Sequence, residues 1–297
     1  MGKRNLFSNY FYGRPGQRDY THSDQPHNRK QLFREVFRAR RGSLMGLNLL
    51  YLLCWIPAIL WSFLNLVQLD LIAAGEPGDS LTSLLFTYLL ILWPLVALTG
   101  PFNMGVSYVL RNWARDEHSF PFLDFKSTLR DNWKQGFLFG VIHGLVPLAV
   151  FICVYFYIRM ATLSPLFYLP LFVILAAAFL WSLVAPLLPT MIVTYRQGFG
   201  GLVRNALLMT LAALPKAVGV RLLTLALPLV LFLCALVAPT ALRWVGLAAL
   251  ILYALILPAL NKLIWASYAN ALCEKYLNPK IEGARTNIGL YTEDGEA

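Results

Sequence analysis

Charge is scarce in this chain. Asp, Glu, Lys and Arg make up 13% of its 297 residues, against roughly 25% in an average soluble domain. With 58% hydrophobic residues and a mean hydropathy of +0.59, a soluble fold would have to expose large apolar patches, so lipid is the expected solvent. Acidic residues are the scarcer sign, 15 against 25 Lys and Arg for a net charge of +10. None of them falls inside a long apolar run, which removes the buried carboxylates that a proton-coupled transporter normally uses. Cysteine is limited to Cys54, Cys153, Cys234 and Cys273, with no CxxC pair. That excludes a disulfide framework and a zinc site. The first three sit inside apolar runs and read as small packed hydrophobes.

Catalytic motifs are missing as well. There is no Walker loop, HExxH, GxSxG or paired-carboxylate arrangement in an apolar run, so no catalytic residue, cofactor or metal is expected. The cluster Gly198-Phe199-Gly200-Gly201 follows an apolar run rather than a strand and reads as a hinge. No cleavable leader is visible: the first 43 residues are polar, and the first apolar run is long enough to span and is expected to stay as a helix. The positive net charge does not point to nucleic acid, because the basic residues lie between or beside apolar runs and not along a stripe with a reader motif.

What is present is a series of apolar runs. About 20 apolar residues cross a bilayer, and six runs meet that length: 44–66, 82–110, 137–158, 167–195, 218–237 and 244–265. The expected fold class is therefore all-α, a polytopic transmembrane helical bundle of six spans with amphipathic helices on its cytoplasmic side. The long second and fourth runs carry prolines where a kink is expected, Pro94 and Pro101 in one, Pro186 and Pro189 in the other. Residues 1–43 hold ten Lys/Arg, 67–81 none, 111–136 five, and the segment after run three only Arg159. Residues 196–217 hold three, the linker after run five only Arg243, and the segment from 266 onward three. This strict alternation puts both termini in the cytoplasm. Three regions follow: a basic N-terminal segment (1–43) with an interfacial helix at 31–41, a membrane domain (44–268) and a cytoplasmic C-terminal tail (269–297).

The basic segments share a design. Leu32, Phe33, Val36 and Phe37 line one helical face opposite Arg34, Arg38 and Arg41; Phe122, Phe125, Leu129 and Trp133 do so opposite Lys126, Arg130 and Lys134. Each leads into a pair of runs, the first with a mid-run proline (Pro57, Pro147, Pro228), the second with a proline and a closing tyrosine (Pro101/Tyr108, Pro189/Tyr195, Pro258/Tyr268). Three helical hairpins of one design would produce this, and so would chance recurrence in apolar sequence.

Polar residues within the runs are candidates for function. His143 is the one ionisable residue well inside a run, as a proton or substrate ligand or as a neutral group bonded to a neighbouring helix. Asn48, Asn103 and Asn261 are expected to bond between helices. Arg221 and Lys262 lie within a turn or two of the cytoplasmic ends of their runs, from where they can snorkel outward. The pairs Gly42/Gly46 and Gly136/Gly140 fit either tight turns or close helix packing.

The ordered motifs Phe7-Ser-Asn-Tyr10, Arg14-Pro15-Gly16, Leu47-Asn48, Thr99-Gly100-Pro101, Tyr108-Val-Leu-Arg111-Asn-Trp113-Ala-Arg115, Phe122-Leu-Asp124-Phe125, Asn132-Trp133-Lys134-Gln135 and Arg204-Asn205 resemble the YesL-like family of bacterial integral membrane proteins. The likeness is to clostridial-type members with a longer N-terminus, strongest over 44–140 and looser after 217. The resemblance implies a bacterial plasma membrane, no assigned activity, and a setting beside carbohydrate uptake through ABC transporters.

Three functions compete. The first is a non-catalytic accessory or regulatory subunit, with Asp124, Phe125, Arg130, Asn132, Trp133, Arg204 and Asn205 as candidates for docking a transporter component, unless these segments simply rest on anionic lipid. The second is a permease acting on its own on a small neutral or amphipathic solute, which the kinked runs favour and the scarcity of buried polar groups disfavours. An ABC permease subunit is a poor fit: 205–216 (NALLMTLAALPK) lacks the acidic-alanine start and glycine of a coupling motif. The third, a membrane enzyme on lipid-linked substrates, lacks acidic or histidine clusters. Oligomeric state stays open.

Overall fold

A computed structural model of the protein describes residues 25–73, 80–238 and 240–291. The motifs at Phe7–Gly16 and the turn formers Gly75, Pro77 and Gly78 lie outside the described residues. Helix α1 (Arg29–Ala39) starts at Asn28, whose side chain accepts from the amides of Lys30 and Gln31. That cap meets two of the first-turn donors that no helix can satisfy internally. Leu32 and Val36 are buried on one face while Arg34 and Arg38 stay exposed. The chain turns at Arg40 into α2 (Arg41–Ala73), then α3 (Leu81–Trp113) begins at Ser80, which caps Ser83. At 33 residues each, both run to about 50 Å, well beyond a hydrocarbon core of about 30 Å.

The short α4 (Pro121–Asp131) has proline in its first turn, where no amide is needed. It leads into α5 (Trp133–Ala161). The fourth apolar run is interrupted at its prolines into α6 (Tyr168–Val184) and α7 (Leu188–Ile192), whereas α3 continues through Pro94 and Pro101. Then follow α8 (Phe199–Ala212), α9 (Leu214–Thr224), α10 (Ala226–Val237), α11 (Leu242–Leu255) and α12 (Leu257–Tyr276).

The described residues are helical and contain no strand. Four helices are long and apolar enough to cross a membrane, rising to six if each sharply bent pair counts as one crossing. The bent pairs are α8 with α9, at 99°, and α11 with the chain from Leu257 to Lys280, at 62°. Hydropathy alone does not register these breaks. The run 218–237 is divided between α9 and α10, and the run 244–265 between α11 and α12. Helix α12 also continues through Tyr276, past the expected domain boundary at 268.

Large apolar side chains face outward along these helices: Phe63 is 62% exposed, Phe172 72% and Phe232 62%. In water such a surface would drive aggregation; against lipid it is the ordinary exterior. Inside, Leu187, Leu188, Met191, Leu202 and Ala206 pack with Met104, Phe139 and Trp265. A second cluster joins Leu32 and Val36 to Leu44, Val109, Trp113 and Leu263. Helices α3 and α12 contribute to both and form the centre of the molecule.

The closest helix contact is between α3 and α5. A Cβ on Gly140 would lie 2.6 Å from the Ala97 carbonyl oxygen, one on Gly144 2.9 Å from that of Trp93, and one on Gly100 would overlap the Gly136 carbonyl. Gly136 and Gly140 are thus a packing surface, while Gly42 and Gly46 have nothing within 4 Å of an added Cβ. Gly140→Val is expected to destabilise by at least about 1–3 kcal/mol through overpacking, and Gly46→Val to be neutral. Thermal unfolding in detergent checks both; equal melting temperatures would refute the packing assignment.

The polar segments meet at one end. Arg29 pairs with Glu274 and donates to the Ile288 carbonyl at 2.9 Å, and the Tyr291 amide donates to the Pro26 carbonyl at 2.9 Å. Arg40 reaches Asp116 (3.8 Å), Arg111 reaches Glu117 (3.6 Å), and Tyr195 donates to Asn278 at 2.6 Å. Gln135 donates to the Gln197 carbonyl at 3.0 Å. The segments before α2, after α3, before α8 and after α12 therefore lie together.

Candidate functional site

Proline inside a helix removes the amide that would bond the carbonyl four residues earlier, and in an apolar medium that carbonyl needs another donor. Pro258 frees the Ala254 carbonyl. Asn48 of α2 donates to it at 2.8 Å and to the Tyr253 carbonyl at 3.2 Å, and its own oxygen accepts the Ala259 amide at 3.0 Å. Pro228 frees the Thr224 carbonyl, which accepts from Asn261 at 3.3 Å. The carbonyls freed at the two breaks are thus met by asparagines on other helices.

Beside the Pro228 break lies a cavity of about 320 Å³, lined by α2, α3, α5, the α6–α7 interruption, the α9–α10 break and α12. Three of the four polar residues marked in the sequence, Asn103, His143 and Asn261, line it; Asn48 does not. Asn103 on α3 accepts from Lys262 of α12 and, at 3.3 Å, from Ser107. The Lys262 ammonium also lies 4.9 Å from the centre of the Tyr51 ring. His143 is stacked on Phe139, centroids 5.3 Å apart and planes 10° from parallel. Arg221 enters from α9, and its Nε is buried without a partner, as is Nε1 of Trp55 on the opposite wall.

Lys262 and Arg221 therefore turn inward and do not snorkel. Sequence reasoning passed them over because distance from the end of a run says nothing about which way a side chain points. One signal was available: Asn261-Lys262 are adjacent polar residues in a run with no acidic residue to pair them. The lining contains no Asp or Glu.

The residues marked for docking are dispersed. Asp124 accepts from Ser119 (2.6 Å) and the Phe120 amide (2.9 Å), fastening the start of α4. Phe125 is only 7% exposed, packed on Gly105 and stacked with Phe102, which takes it out of any docking surface. Asn132 lines a surface groove with Gln135 and Gln197, and Asn205 donates to the Gln197 side chain at 3.0 Å. Arg130, Trp133 and Arg204 are exposed.

Residues 80–154 match a family described as "Protein of unknown function, DUF624". YesL-like proteins are in that family. The matched stretch covers α3, α4 and most of α5, and so includes the glycine contact, Asn103 and His143. No curated protein and no solved structure matches the chain.

The Lys262–Asn103 contact makes a directional prediction. Asn103→Leu strands the lysine and is expected to lower stability by about 1.5–3 kcal/mol, while adding Lys262→Met recovers part of that loss. Thermal unfolding of the two variants decides it; a double variant weaker than Asn103→Leu would mean that Asn103 does not support the lysine.

Proposed function

We propose that the protein is a small-solute permease of a bacterial plasma membrane, working at the central cavity. The observation that carries this reading is a cavity at the α6–α7 and α9–α10 interruptions into which polar side chains from several helices open. Discontinuous helices around a midplane site are how many secondary transporters build a binding site that two gates can serve. Six crossings with both termini in the cytoplasm agree with the grouping of the polar segments. Four crossings return the chain to the end where α8 begins, and an outward and an inward passage through α8–α12 would bring it back there.

A permease must open its cavity to both sides. With the four native cysteines replaced by alanine, Ser182→Cys, whose position lines the cavity, is expected to react with a small impermeant thiol reagent from either face of oriented vesicles. Ser80→Cys reacts only from outside and Ser127→Cys only from inside. Labelling of Ser182→Cys from one face alone, or from neither, would sink the permease reading.

A second reading is that of a non-catalytic accessory component beside carbohydrate ABC uptake, as the likeness to clostridial-type YesL-like proteins suggests. Its support is an exposed apolar face at the polar end: Phe122 is 65% exposed, Leu123 64% and Trp133 52%, next to Lys126 and Arg130. A photo-crosslinker at Trp133 is expected, on this reading, to capture a sugar permease or its ATPase in native membranes. Capture of lipid alone would count against it.

A further inference from the structure

We infer that the cavity binds a small soluble oxyanion, a phosphate or a carboxylate, between Lys262 and Arg221. This rests on the cavity being a ligand site and supplies the class of its ligand. The two cations come from different helices, α12 and α9, and open into the same space with His143. No Asp or Glu lines that space, and no ion pair of the described residues includes either cation. Lys262 has the neutral Asn103 oxygen and the Tyr51 ring face but no carboxylate, and the buried Nε of Arg221 and Nε1 of Trp55 have no acceptor. Two cations facing one cavity with no carboxylate in its walls favour a negative partner. The unpartnered buried atoms of the lining, Arg221 Nε and Trp55 Nε1, are both donors, and with the two cations they match an oxyanion. A neutral solute would leave both cations without a counter-charge. The volume of about 320 Å³ suits a small molecule.

The test uses the whole protein, delipidated in neutral detergent, with inorganic phosphate as the probe against chloride at equal ionic strength. Phosphate is expected to raise the melting temperature as a ligand of the native state. Lys262→Met and Arg221→Gln are each expected to weaken that response at least about tenfold in apparent dissociation constant, while Trp133→Ala leaves it unchanged. Phosphate is also expected to slow labelling of Ser182→Cys, a measurement that needs no cation variant and so survives if Lys262→Met fails to fold. Native mass spectrometry addresses the other source of the same chemistry. Anionic phospholipid retained by the wild type and lost in Lys262→Met, with no phosphate response, would overturn the soluble ligand in favour of a lipid headgroup. No response to phosphate and no retained lipid, or a phosphate response unchanged in both folded variants, would overturn the anion site itself. The two proposals fail separately: two-sided labelling without protection leaves a permease for another solute, and protection with one-sided labelling leaves an anion site without transport.

Discussion

The structure depends on what becomes of backbone carbonyls where proline interrupts a helix in lipid. Water is not there to bond them, so each freed group must be met by protein or the interruption is not viable. At Pro258 and Pro228 the donors are Asn48 and Asn261. At Pro101 the freed carbonyl is that of Ala97, and there the neighbouring helix comes so close at Gly140 that no side chain fits between. Two solutions to one problem divide the molecule: close glycine packing joins α3 to α5, whereas asparagine side chains meet the carbonyls freed at the α9–α10 and α11–α12 breaks.

The cavity follows from that division. A straight bundle of apolar helices would close on itself, as the outward-facing Phe and Leu residues and the two packed clusters show for the rest of the molecule. At the Pro228 break beside the cavity, the polar group that meets the freed carbonyl is already in place. Asn261 serves the Thr224 carbonyl, and the next residue, Lys262, reaches Asn103. Repair of the backbone and furnishing of the site are therefore done by adjacent residues on one helix turn.

Much of the architecture was legible in the sequence, because apolar length and the spacing of basic residues report directly on the solvent around each segment. The face of α1 was legible too, down to Leu32 and Val36 turning inward. What could not be read was direction and pairing. Phe125 sits at the same helical spacing as the exposed Phe122, yet Gly105 opposite makes room for it alone. Gly42/Gly46 and Gly136/Gly140 are the same motif, and only the partner helix distinguishes them. Arg221 and Lys262 were assigned outward from their positions along a run, but a lysine chooses between interface and interior by what faces it across the bundle, here Asn103 and Tyr51.

The third helical pair departs from the other two, and the departure bears on function. Helices α2 and α5 run unbroken through Pro57 and Pro147, while at Pro228 the chain breaks into α9 and α10. If three hairpins share one design, the third is the one in which the proline was allowed to divide the helix. It is also the one that brings both cations to the cavity. The family match ends at residue 154, so it includes Asn103 and His143 but neither Arg221 nor Lys262. The matched helices thus supply a polar wall and a tightly packed frame, and the two cations of the cavity come from the part of the chain outside the match. On this argument, proteins sharing the frame need not share the ligand, and the residues at 221 and 262 are the ones to compare when asking whether they do.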